Sequence, residues 1–150
     1  MSGTHNPIIT QWHDDKVVWI NSANLDAGLL SLRAGEASAV GISPYNGFKV
    51  TDISFLKSIP DLTGLVMPYP EGFNLEPVRG LKKLRLLSPS KERSAFDFST
   101  FADLLELSTD WKSSDVLPDC HSGLQRLSLW DYNPKSRDLQ GLPAYRHLFF

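Results

Sequence analysis

The chain has 150 residues, 41% of them apolar, a formal net charge of −2 and one cysteine. That length suits one domain with a sizeable core, and the near-neutral charge excludes a non-specific nucleic-acid binder, which needs a broad basic face. No run of about 18 apolar residues is present, so no transmembrane helix is expected.

The opening MSGTHNPIITQWHDD has no basic n-region followed by an apolar h-region, so it does not read as a secretory signal. The lone Cys120 cannot form an intrachain disulfide, which fits a reducing compartment. Together these features point to the cytoplasm. Residues 1–7 are polar with Gly and Pro and read as loose. The strand-like runs Ile8–Trp12 and Val17–Ile20 flank His13-Asp14-Asp15-Lys16 and predict a hairpin with a short polar loop. Next, Asn24 to Gly35 carries leucines at near-helical spacing. It predicts a short helix with Asn24 near its N-cap and Gly35 near its C-cap.

From Ala37 onward one pattern recurs. Its clearest copy is Asp52 to Met67, DISFLKSIPDLTGLVM, with apolar residues at Ile53, Leu56, Ile59, Leu62, Leu65 and Met67. A step of three fits neither an α-helix nor a strand, but it fits a 3₁₀-like run that ends in a short strand. Taking the last inward residue of each strand as a ruler gives Ile42, Met67, Leu86, Leu107, Leu129 and Phe150, spaced by 25, 19, 21, 22 and 21 residues. The inward residues before them are Val40, Leu65, Leu84, Leu105, Leu127 and Leu148. A weaker copy, Val18-x-Ile20, precedes the series. Pro and Gly in the intervening turns, such as Ser43-Pro44-Tyr45-Asn46-Gly47 and Asp131-Tyr132-Asn133-Pro134, stop each strand short. The unit from Phe96 to Leu107 is ambiguous, because Phe98, Phe101 and Leu104 keep the step of three while Leu105 and Leu107 suggest the strand.

Leu62-x-x-Leu65-x-Met67 resembles the L-x-x-L-x-L core of leucine-rich repeats. Val50-Thr51-Asp52-Ile53-Ser54-Phe55-Leu56 and the leucine ladder after it look like the short bacterial repeats of the internalin type. The ladder is repeated at Leu75, Val78, Leu81, Leu84 and Leu86, at Leu117, Cys120, Leu124, Leu127 and Leu129, and at Leu139, Leu142, Tyr145, Leu148 and Phe150, where Asp138 is placed like Asp52. The resemblance covers about residues 15 to 150. It implies a leucine-rich-repeat solenoid, a right-handed β/α or β/3₁₀ superhelix. Short parallel strands would line its concave face, irregular or 3₁₀ segments would form its convex side, and the N-terminal hairpin would cap it. Residues 1–150 would then be a single domain, with 1–36 as cap and first degenerate repeat and 37–150 as repeats. The family's turn asparagine is missing. Its positions hold Tyr45, Pro70, Pro89, Asp110 and Tyr132, so the turns must be held by other groups.

Side chains alternate along a strand. If the paired leucines point inward, then Trp19, Gly41, Val66, Arg85, Glu106, Ser128 and Phe149 face the concave side. Leu87, Arg126 and Trp130 share that face, with Asp110 and Tyr132 at its rim. Trp, Tyr and Arg are common interface hot spots. The expected partner-binding residues are therefore Arg85, Leu87, Glu106, Asp110, Arg126, Trp130 and Tyr132. The bland alternative is that Trp130 and Tyr132 merely cover neighbouring turns, since single exposed aromatics are common.

Catalytic patterns are poor. His5, His13, His121 and His147 are scattered without metal-ligand spacing, and no phosphate-loop, dinucleotide or nucleophile-elbow motif occurs. Cys120 and His121 are adjacent on an extended chain and so point apart, and Cys120 occupies a ladder position suited to a small buried residue. No catalytic residue, metal or cofactor is expected. An enzyme using Cys120 or Asp110 is the outlying reading.

The leading functional expectation is a non-enzymatic module that binds a protein partner on its concave face, with a bacterial immunity- or antitoxin-like role as its specific version. The second is a structural homo-oligomer joined through a C-terminal edge made by Leu148, Phe149 and Phe150. No C-terminal cap is apparent in the sequence. The last repeat would pair with a second copy, be covered by a partner, or continue into a longer chain.

Overall fold

The step of three in the leucine ladder has a direct hydrogen-bond cause. The Leu56 amide donates to the Ile53 carbonyl (3.0 Å), Ile59 to Leu56 (3.1 Å) and Leu62 to Ile59 (3.0 Å). These are bonds between residues three apart, the geometry of a 3₁₀ turn, in which side chains three apart eclipse. The series recurs from Leu75 through Val78 and Leu81 to Leu84, and from Phe98 through Phe101 to Leu104. The 3₁₀ helices Ser54–Ser58, Glu76–Gly80 and Phe98–Thr100 form along these runs. They turn Ile53, Leu56, Val78, Leu81, Phe98 and Phe101 into one buried core.

The computed structural model describes residues 6–49, 52–68, 73–89, 91–119, 122–135 and, for the backbone alone, 147–149. Within them the strands are β1 Ile8–Trp12, β2 Asp15–Ile20, β3 Ala39–Ile42, β4 Gly64–Val66, β5 Leu86–Ser88, β6 Glu106–Asp110, β7 Arg126–Trp130 and β8 His147–Phe149, with one helix, α1, at Leu25–Arg33. They make a single open mixed sheet in chain order. The pair β1–β2 is antiparallel and every later pair is parallel. Parallel neighbours need a crossover, and from β2 to β6 the crossovers are α1 and the 3₁₀ segments, which contribute their apolar residues to the core on one face of the sheet.

Helix α1 closes the core over β2. Its end matches the expectation at Gly35, whose φ of 74° is left-handed. Gly35 N donates to the Leu32 carbonyl and Glu36 N to that of Ser31, which satisfies carbonyls the helix would otherwise leave open. Asn24 starts the helix without a side-chain cap bond to it, and its Oδ1 accepts instead from Asn21 N at 2.7 Å.

The register aligns Val18, Val40, Leu65, Leu87, Leu107 and Leu127 in one core-facing row. This corrects two units of the sequence ruler. Leu84 and Leu86 are not the inward strand pair. Leu84 still belongs to the 3₁₀ ladder, Leu87 is the first inward strand residue, and Leu86 points to the opposite face. Likewise Leu107 is the first inward residue of its strand and not the last, and Leu105 lies at the corner before β6. The row between the inward positions is therefore Trp19, Gly41, Val66 and Ser88, continued by Ser108 and Ser128. Arg85 is not part of it. Its carbonyl instead accepts the amides of Leu105 and Glu106, as Thr63 does for Arg85 and Leu86.

The missing turn asparagines are replaced by unlike devices. Ser43 Oγ accepts from Tyr45 N at 3.2 Å. Further on, the buried Arg93 guanidinium spans three segments. It donates to Thr109 Oγ1 (2.7 Å), the Asp110 carbonyl (3.1 Å) and both oxygens of Asp115 (2.8 and 2.7 Å). Asp115 also accepts from Phe96 N at 2.9 Å. A planar fork suits that bidentate task in a way an ammonium does not. Ladder positions at Cys120, Leu139, Leu142 and Tyr145, with Asp138 and Phe150, lie outside the described residues.

Candidate functional site

The face opposite the core carries unusually small residues on β3 and β4: Ala39, Gly41 and Gly64. Large side chains from the hairpin fill the space. Trp12 and Trp19 pack against Val17, Ala39, Val66 and Leu86, a second apolar cluster separate from the main core. Gly41 is required by this approach, because a Cβ there would lie 2.4 Å from Trp19 Cε3. The Trp19 indole donates to Thr10 Oγ1 at 2.8 Å and so ties β2 to β1.

The hairpin turn is tighter than expected. Trp12 pairs with Asp15, leaving only His13 and Asp14 in the loop, with His13 at a left-handed φ of 51°. That turn reaches across the sheet. His13 Nε2 lies 3.2 Å from Glu106 Oε1 on β6, and Glu106 Oε2 accepts from Arg126 Nη1 at 2.7 Å. The hairpin does end the sheet at β1, yet its tip overlies the face that was expected to stand open.

What remains accessible is a groove of about 400 Å³ beside the hairpin. Trp12, Met67, Pro68, Ser88, Ser108 and Trp130 line it, with Lys91 and Asp110. Trp130 is 58% exposed, and its indole N–H donates to Ser108 Oγ at 3.1 Å. The indole nitrogen of Trp12 is shut from solvent with no acceptor among the described residues. Lys91 Nζ lies 2.6 Å from Asp131 Oδ2 and 3.5 Å from Asp110 Oδ1. The hydrogen bond and charge of Asp131, with the charge of Asp110 behind them, push the Lys91 pKa up. Lys91 is therefore an ammonium at neutral pH, a cation and not a nucleophile. Asp131 itself has a φ of 56°, a conformation that short polar residues tolerate. A smaller cleft of about 190 Å³ lies under the hairpin tip, with Asp14, Asp15, Arg85, Glu106, Gln125 and Arg126 on its walls.

The structure brings Glu106, Asp110, Arg126 and Trp130 onto one face, as the alternation of side chains predicts. It separates the others. Leu87 is fully buried in the core and offers no exposed surface. Tyr132 leans edge-on against Trp111, ring centroids 5.3 Å apart, at the margin of the core. Arg85 belongs to the smaller cleft. Leu148 and Phe149 lie in β8, paired with β7, and Phe150 lies outside the described residues, as do Cys120 and His121.

Sequence reasoning missed Trp12, Ser88 and Lys91 as groove residues. One signal was present: Ala39, Gly41 and Gly64 in adjacent strands leave a hollow that some large side chain must fill. Among the described residues no group of His, Cys, Asp and Glu is placed to hold a metal ion, and no helix is long and apolar enough to cross a membrane. The arrangement offers indole faces, hydroxyls and a held ion cluster around one groove. Comparison with protein-family models, curated proteins and solved structures finds no match.

Proposed function

We propose that the protein is a non-enzymatic protein-binding module of leucine-rich-repeat type that takes a polypeptide segment in the groove between its N-terminal hairpin and β7. The single observation behind this reading is the exposed Trp130, sharing one groove with Trp12 and two serine hydroxyls. Large aromatic surface beside a few polar groups is the composition of binding hot spots. The sheet supplies rigidity, since Trp130 ends a strand paired on both sides. The test is affinity capture from the native lysate with wild type, Trp130→Ala and, as a control on the helix side, Leu30→Ala. Leu30 is 62% exposed, so both variants should fold. Loss of the captured partner with Trp130→Ala alone supports the groove. Loss with Leu30→Ala alone moves the site to the other side of the molecule.

A second reading is a homo-oligomer joined along β8, favoured by one observation. Among the described residues β8 pairs only with β7, so its other edge carries no strand. Light scattering across a concentration series tests it. A dimer that Phe150→Lys dissociates supports this reading, and a monomer at every concentration refutes it.

A further inference from the structure

We propose that the segment seated in this groove is cationic, and that Lys91 occupies its ammonium seat in the free protein. This rests on the protein-binding reading and adds the chemistry of the partner. Three observations converge. Two carboxylates, Asp110 lining the groove and Asp131 beside it, stand against one cation, Lys91, so this ion cluster is one negative charge in excess. The seat demonstrably accepts an ammonium, because Lys91 Nζ already lies within 2.6 Å of one carboxylate and 3.5 Å of the other. The same groove presents the indoles of Trp12 and Trp130, the aromatic ring most favourable to a nearby cation.

The environment around the seat agrees. Asp14 and Asp15 at the hairpin tip add carboxylates in the neighbouring cleft, where Glu106 is matched by Arg126 and Arg85 is the further cation. An incoming basic side chain would meet negative potential on approach, which raises the rate of encounter at low salt. Lys91 is 55% exposed in its side chain and belongs to a surface ion cluster, so it can swing away at little cost. A lysine or arginine of the partner would then take its place between the carboxylates while the chain on either side contacts the indoles and the Ser88 and Ser108 hydroxyls.

A random peptide display library selected against the full chain tests this directly. The expected winners are rich in Lys or Arg, lose binding to Trp130→Ala, and weaken with Asp110→Asn. Lys91→Ala should bind them about threefold more tightly, since removing an internal competitor releases an exposed ion pair. Lys91 and Trp130 are exposed, so their variants should fold, and thermal melts of each variant check it. Winners that need Trp130 but are acidic or neutral overturn the cationic seat and leave the groove standing. Basic winners whose affinity falls with Lys91→Ala overturn the internal-occupant role. A selection in which no winner depends on Trp130 overturns the groove itself.

Discussion

Gly41→Ala adds one carbon where the structure has no room for it. The new Cβ would lie 2.4, 2.6 and 2.7 Å from Cε3, Cδ2 and Cζ3 of Trp19, under the face of the indole. Carbon atoms rest about 3.5–4.0 Å apart, so the ring must retreat by roughly an ångström. That movement stretches the 2.8 Å bond from the Trp19 indole to Thr10 Oγ1 beyond hydrogen-bond range. Overpacking costs about 1–3 kcal/mol and the lost bond about 1 kcal/mol. Alanine returns about 0.5–1 kcal/mol by restricting the unfolded chain. The expected net loss is about 2 kcal/mol, which for a chain of this size lowers the melting temperature by roughly 5 °C. Urea unfolding followed by circular dichroism measures it, with an unchanged slope showing that the unfolded state is unaltered. The decisive control repeats the substitution in a Trp19→Leu background, where the smaller side chain leaves space. There the penalty should shrink by about 1 kcal/mol or more. A wild-type midpoint for Gly41→Ala, or an equal penalty in both backgrounds, would refute the claim that Gly41 exists to seat the hairpin.

Three further outcomes are expected. Asp115→Ala strands the guanidinium of Arg93, whose side chain is 0% exposed, and should cost about 3–5 kcal/mol by urea unfolding. Converting both partners to leucine should cost less than Asp115→Leu alone, and the opposite order would show that the pair is not an electrostatic unit. Glu106→Gln weakens the hold of β6 on His13 and Arg126, so hydrogen exchange at Ile8–Trp12 should quicken while β4 is unaffected. Unchanged exchange in β1 would mean that the Trp12 cluster alone holds the hairpin. Finally, the Lys91 pKa is raised in the folded state. Its contribution is therefore fully present below the ordinary lysine value of about 10.4 and lost as pH climbs through the higher folded value. At the acid end, the Ser54 amide and hydroxyl hold the Asp52 carboxyl below its usual range. That contribution is present above about pH 4 and fades as pH drops through the lowered value. Stability profiles of Lys91→Met and Asp52→Asn should flatten at the alkaline and acid ends respectively, and parallel curves would contradict both assignments.

The sequence by itself determined the local grammar of this protein. The step of three at Ile53, Leu56, Ile59 and Leu62 is legible because a 3₁₀ turn both makes its hydrogen bonds and aligns its side chains at that interval. The helix end at Gly35 and the alternation that brings Glu106, Arg126 and Trp130 to one face are legible for the same reason: each is fixed by neighbours a few residues away. Register was less secure. In Leu84-Arg85-Leu86-Leu87 the leucines satisfy two alignments, and only pairing with Gly64 and Glu106 selects the one that buries Leu87.

The candidate binding face was decided almost wholly by tertiary structure. Nothing local to Trp12 or His13 announces that the hairpin leans over β3 to β6, because its partners, Ala39, Val66, Leu86 and Glu106, are strands away. Nor does Lys91 advertise Asp110 and Asp131 as its partners, which the chain brings together only when successive strands stack in order. Short-range hydrogen bonding wrote the elements. Long-range packing of two indoles on a floor of small residues chose which part of the sheet is left accessible.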